Sequence, residues 1–172
     1  DWGRYPDPVP PPNAPPLLGF NDYDGRHGTG LKWMMDNGLT RRGLIVRPVF
    51  VGTTPVAIDA TEAEAAGIRV VINWRYSWDS ADNGGAGTLP APGSPEWEKH
   101  LDAIVTSIRL SKGVWGHSLW NEFNNPREFP RDGELSPPDI VRAYNWVYGR
   151  VRDINVRLAP GAMDPYHASR GD

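Results

Sequence analysis

Apolar residues fall in five short runs along the chain, at 17–20, 44–50, 68–74, 114–120 and 156–163, separated by polar, helix-prone stretches. Each run is rich in β-branched or aromatic residues and bounded by Gly, Asn or Asp, the composition of a β-strand between turns. Several are nearly continuous apolar segments, such as IRVVINW at 68–74. Such segments are expected to be parallel strands buried on both faces. Between the runs lie helix signals. Ser94-Pro95-Glu96 supplies an N-cap, a proline for the first helical position and an acid near the positive helix end. Trp97, Leu101, Ile104 and Ile108 then recur at helical spacing, and Gly113 reads as the C-terminal stop. Ser136-Pro137-Pro138-Asp139 opens a second helix with Ile140, Val141, Tyr144, Val147 and Val151 on its apolar face. Residues 61–66 and 30–37 form two further helical candidates.

Strands alternating with helices predict an α/β protein with a parallel sheet and right-handed crossovers. Five strands and four intervening helices complete a doubly wound open sheet. A (β/α)8 barrel takes about 250 residues. On length alone the 172-residue chain therefore fits the open sheet, and a barrel has to be argued from particular residues.

Composition narrows the partners. Seven of the eighteen prolines lie in residues 1–16, so this stretch is expected to be an extended Pro-rich arm or linker ahead of a folded unit at 17–172. With 39% hydrophobic residues the rest can build a core, and no apolar run approaches the ~20 residues of a membrane helix. The absence of cysteine excludes a disulfide scaffold, a thiolate metal site and a Cys nucleophile. A net charge of −3 without a basic run argues against nucleic acid or an anionic membrane as the partner. The chain starts at Asp1 without an initiator Met, as expected of a processed form or an excised piece.

Candidate chemistry collects where the strands end. The first runs into Asn21-Asp22-Tyr23-Asp24, the third into Arg75-Tyr76-Ser77-Trp78-Asp79, the fourth into Asn121-Glu122-Phe123-Asn124-Asn125 and the fifth into Asp164-Pro165-Tyr166-His167. In parallel α/β folds the carboxyl ends of the strands share one face, and that face carries the active site. Turns use Asn, Asp and Gly for backbone reasons, so no single cluster is diagnostic. Their coincidence at four strand ends is the signal. Carboxylates, amides and aromatic rings together suit a carbohydrate, whereas a Gly-rich phosphate loop is missing from every strand end.

The segment GHSLWNEFNN, residues 116–125, resembles the end of strand four in clan A glycoside hydrolases, which carries a similar Asn-Glu pair. Those enzymes are (β/α)8 barrels that cleave glycosidic bonds with retention of configuration. The resemblance implies that residues 17–172 are an incomplete (β/α)8 barrel, about its first five β/α units. It implies that Glu122 is the general acid/base and that Asn121 hydrogen-bonds the substrate around the sugar 2-hydroxyl and the nucleophile. An acid in that role must stay protonated well above the free Glu value of about 4.3, and Trp120 and Phe123 flank it with apolar surface. Arg47, near the end of the second strand, resembles the arginine that these barrels place beneath the nucleophile. Gly19-Phe20-Asn21 resembles their first strand end, which puts Asn21 in the site. Trp74, Tyr76 and Trp78 are candidates to stack on sugar faces, and Tyr166 and His167 to line the site. His117, inside the fourth strand, reads as a hydrogen-bonded interior residue.

The expected substrate is a poly- or oligosaccharide, met outside the cell or at its surface. No cofactor is expected, and the four histidines show no metal-ligand spacing. Retention requires a second carboxylate about 5–5.5 Å from the first, which the family carries at the end of strand seven. Here Glu128, Asp132, Glu134, Asp139 and Asp153 follow strand four in its loop and helix, so the nucleophile is expected outside this chain. Half a barrel exposes long sheet edges that soluble proteins avoid. The remaining units are accordingly expected in an absent segment or another chain. The competing reading is a non-catalytic carbohydrate-binding or structural barrel module of a larger surface or appendage protein. A serine hydrolase is disfavoured because no Gly-x-Ser-x-Gly elbow is present.

Overall fold

A computed structural model describes residues 18–21, 29–38, 43–77, 89–121 and 135–161. In chain order the elements are β1 (Leu18–Asn21), α1 (Thr29–Asp36), β2 (Gly43–Phe50), α2 (Thr61–Ala65), β3 (Arg69–Arg75), α3 (Pro95–Leu110), β4 (Gly116–Leu119), α4 (Pro137–Val151) and β5 (Leu158–Ala159), with a 3-10 turn at Arg152–Ile154 after α4. The Pro-rich stretch 1–16 lies outside the described residues.

The strands form one five-stranded sheet in the order β1-β2-β3-β4-β5, and every neighbouring pair is parallel. A doubly wound sheet reverses its strand order at a switch point. No reversal occurs here, so the open doubly wound arrangement favoured by length is corrected to a singly wound one. Each crossover joins adjacent strands, and the common right-handed crossover then places all the helices on one side.

Register partners in a parallel ladder point the same way, which sorts the side chains into two faces. Ile45 and Val70 share one face with Val49, Ile72, Trp74, His117 and Leu119, and all are buried. They join Leu101 and Ile104 of α3 and Val147 and Val151 of α4 in one core. The opposite face carries Leu44, Val46, Pro48, Val71 and Ser118, all half-buried, with Asn73 and Arg75 buried at its carboxyl end. Burial on both faces was therefore expected too broadly. IRVVINWR is a two-faced strand, with Val70, Ile72 and Trp74 against helices and Arg69, Val71, Asn73 and Arg75 on the other side.

The caps act as their sequence indicates. The Ser94 hydroxyl accepts from the Trp97 backbone N–H at 3.1 Å, and the Asp139 carboxylate accepts from the Ser136 backbone N–H at 3.0 Å. The end of α3 differs from expectation, because the helix stops at Leu110 with an extended Ser111. Gly113 serves another purpose. Its φ is +65°, and a Cβ built there meets the Thr61 nitrogen at 2.5 Å and the Ala60 carbonyl carbon at 2.6 Å. The turn into β4 thus lies directly on the start of α2. Gly113→Ala is expected to cost at least about 2 kcal/mol, combining left-handed strain with a backbone collision. Urea unfolding measures this, and an unchanged midpoint excludes the close approach.

β4 and β5 are shorter than the apolar runs that announce them. Trp120 leaves the ladder with φ +59°. Beyond Ala159, Pro160 has no N–H to give, and Gly161 turns at φ +112° with its Cα side against the Leu119 carbonyl.

Candidate functional site

The carboxyl ends of β2, β3 and β4 are tied together from the helix side by His100. This side chain sits on the buried stripe of α3 and is fully enclosed. Its Nδ1 lies 2.7 Å from the Gly52 carbonyl oxygen just after β2. Its Nε2 accepts from the Trp120 indole N–H at 3.1 Å just after β4. An indole N–H only donates, so His100 carries its hydrogen on Nδ1 and is neutral. Burial pushes its pKa down to about 4, against the opposing pull of the Gly52 hydrogen bond. Tyr76, following β3, meets the His100 ring edge-on at 5.2 Å, and Trp97 packs against Trp120 at 5.0 Å.

Trp120 is the pivot of the site. It is almost fully buried yet holds a left-handed backbone, φ +59°, that bulky residues adopt only where the surroundings force it. Its backbone N–H donates to the Trp74 carbonyl at 2.8 Å, and its carbonyl accepts from the Asn73 side-chain amide. Asn73 also donates to the Ser118 hydroxyl at 2.9 Å and accepts from Arg75 Nε at 2.8 Å. The Arg75 guanidinium carbon lies 5.9 Å from the centre of the Phe50 ring. A connected polar cluster, Asn73-Arg75-Ser118, thus occupies the carboxyl end of the face turned away from the core helices. Half-buried Asn121 follows Trp120 directly.

Only some of the expected site residues are brought to this place. Asn121 is there, and Tyr76 stands at its margin. The Tyr76 hydroxyl donates to Glu96 at the start of α3, and desolvation followed by that carboxylate pushes its pKa up to about 12. Asn21 is the last residue of β1 and pairs with Val46.

Two expectations are corrected. Trp74 is completely buried on the helix-covered face, donating to His117 Nδ1 at 3.2 Å, so it offers no ring face to a sugar. Arg47 is in register with Ile72 and therefore projects from the face opposite Asn73 and Arg75, not into their cluster. His117 is the hydrogen-bonded interior residue expected, its pKa lowered to about 4 by burial. Glu122, Trp78, Tyr166 and His167 lie outside the described residues.

Sequence reasoning missed two residues, His100 and Asn73. His100 falls three residues after Trp97 and four before Ile104, on the stripe already read as apolar. Asn73 continues an alternation begun by Arg69 and Val71, hidden inside an apparently continuous apolar run that ends before Arg75. Among the described residues no three His, Asp or Glu side chains gather as metal ligands, and no helix is long and apolar enough to cross a membrane. No family model, curated protein or solved structure matches the chain.

Proposed function

We propose that this chain is the N-terminal part of a (β/α)8 barrel of a retaining glycoside hydrolase acting on a poly- or oligosaccharide. In this reading Glu122 is the general acid/base and the nucleophile comes from strands outside this chain. The observation that carries it is Trp120. A buried, left-handed tryptophan, clamped by His100, Trp74 and Asn73, ends β4 immediately before Asn121 and Glu122. Backbone strain of about 1–3 kcal/mol persists where the surrounding structure over-determines a geometry, and such residues cluster at active sites. The unreversed strand order supports the barrel, since each new β/α unit adds at the same edge and on the same side. The half-buried apolar row Leu44, Val46, Pro48 and Val71 supports further units covering that face.

Protonating a glycosidic oxygen takes a carboxyl kept neutral at working pH, which apolar surroundings favour by penalising the carboxylate. Glu122→Gln in the complete protein is expected to lower turnover of aryl glycosides at least a hundredfold or so with its unfolding curve unchanged. Wild-type turnover in that variant removes Glu122 from the reaction.

A further inference from the structure

The amino ends of the strands, opposite Asn121, carry a second constellation. Trp115 stands immediately before β4, Arg69 is the first residue of β3, and Arg157 immediately precedes β5. The ladder fixes all three backbones. The Trp115 N–H donates to the Val70 carbonyl at 2.9 Å, and the Arg157 carbonyl accepts from the His117 N–H at 2.8 Å. The guanidinium carbons of Arg69 and Arg157 each lie 5.0 Å from the centre of the Trp115 ring. Both arginines are exposed, and Trp115 keeps 38% of its surface in solvent.

Lys32 pairs with Asp36, Arg109 with Asp153 and Arg142 with Asp139. Among the described residues neither Arg69 nor Arg157 has a carboxylate partner. Two like charges are therefore held against one indole in a chain whose net charge is −3. Contact with the ring engages the flat face of a guanidinium and leaves its in-plane N–H fork for an acceptor. Arg157 spends one donor on the Trp115 carbonyl, at a long 3.4 Å. The Trp115 indole N–H has no acceptor among the described residues.

We propose that Arg69, Trp115 and Arg157 form a binding site for a tetrahedral oxyanion, a sulfate or phosphate group. One fork satisfies the two oxygens of a planar carboxylate. Two guanidinium groups set against one ring match an anion that presents more than one edge. The anion offsets the two positive charges, and the strand ends fix the backbones that carry them. The site lies at the other end of the sheet from Asn121 and does not depend on the glycosidase reading. The group arrives either as the free ion or as an ester on a polymer.

Titration of the full chain with inorganic sulfate and phosphate, against chloride at matched ionic strength, tests the site through the Trp115 indole NMR cross-peak, identified by its loss in Trp115→Phe. The expected result is a saturable shift with both oxyanions and none with chloride. In a folded Arg69→Ala/Arg157→Ala variant the midpoint is expected to rise at least about tenfold. Arg69→Lys/Arg157→Lys keeps the charge without the forks and is expected to fall between the two. A linear drift that is equal in wild type and the alanine variant overturns the proposal, as does full affinity in the lysine variant. Dextran sulfate, compared with unsulfated dextran at equal sugar concentration, then identifies the source. Saturation at tenfold lower sulfate than the free ion supports a polymer ester, and no such gain supports the free ion.

Discussion

Lowering the pH from 7 to 4 is expected to remove roughly 6 kcal/mol of folding stability through two buried histidines. His100 and His117 ordinarily titrate near 6.5, and burial lowers each to about 4 in the folded chain. Between these values the unfolded chain binds protons that the native chain refuses, so stability rises with pH across that window. The contribution is fully present above 6.5, shrinks as the pH falls towards 4 and is exhausted below it. Each group accounts for roughly 3 kcal/mol by pH 4 at about 1.4 kcal/mol per pH unit. The cost has a clear structural origin. His100 Nε2 accepts from Trp120, and His117 Nδ1 accepts from Trp74. A proton on either nitrogen turns the acceptor into a second donor facing an indole N–H.

The acid groups act in a different window. Hydrogen bonds from Thr61, Ser136 and Arg109 hold the carboxyls of Asp59, Asp139 and Asp153, respectively, below the ordinary 3.8. Their contribution is lost at lower pH than that of the histidines. Urea midpoints at pH 7, 5.5 and 4 therefore read the histidines with little interference. In a His100→Gln/His117→Gln variant the decline across this range is expected to flatten. Equal wild-type midpoints at pH 7 and 4 show that neither imidazole is buried as described.

The elements were legible because each rests on a local cause. Ser94, Pro95 and Ser136 start helices through backbone groups within three residues, and β-branched runs make strands wherever the sheet puts them. Sidedness was less legible. Arg47 looked placed to serve the site because it stands near the end of β2, but side-chain direction alternates, and only the register with Ile72 reveals its face. Trp74 and Tyr76 looked equivalent for the same reason. One is enclosed under helices and the other lies at the strand-end margin. His100 was missed because an imidazole on an amphipathic stripe has the same spacing as the leucine or isoleucine beside it. What marks it is the pair of partners just after β2 and β4, 48 residues before it and 20 after it. Nothing in the string WNE announces a left-handed Trp120, since that conformation is imposed by Trp74, Asn73 and His100 from outside the local sequence.

That imposed conformation leads to an unusual order of stabilities at position 120. Trp120→Ala is expected to cost about 3–5 kcal/mol, the usual penalty for emptying a large buried aromatic site. It also leaves His100 Nε2 without its donor in the core, where an unsatisfied polar atom is worth about 1–3 kcal/mol. In most positions glycine is worse than alanine because it orders at greater entropic cost. At φ +59° the comparison reverses, since alanine brings a Cβ into a region that disfavours it by about 1–2 kcal/mol. Trp120→Gly is therefore expected to be the more stable of the two, although it fills no more space. Trp120→Phe keeps most of the packing against Trp97 and isolates the loss of the indole N–H. Urea unfolding of the three variants separates packing, hydrogen bond and backbone. An alanine variant more stable than the glycine variant shows that the left-handed turn is not held in solution. The proposed role of Glu122 then loses its main support, because that turn is what directs the chain out of β4 and into Asn121.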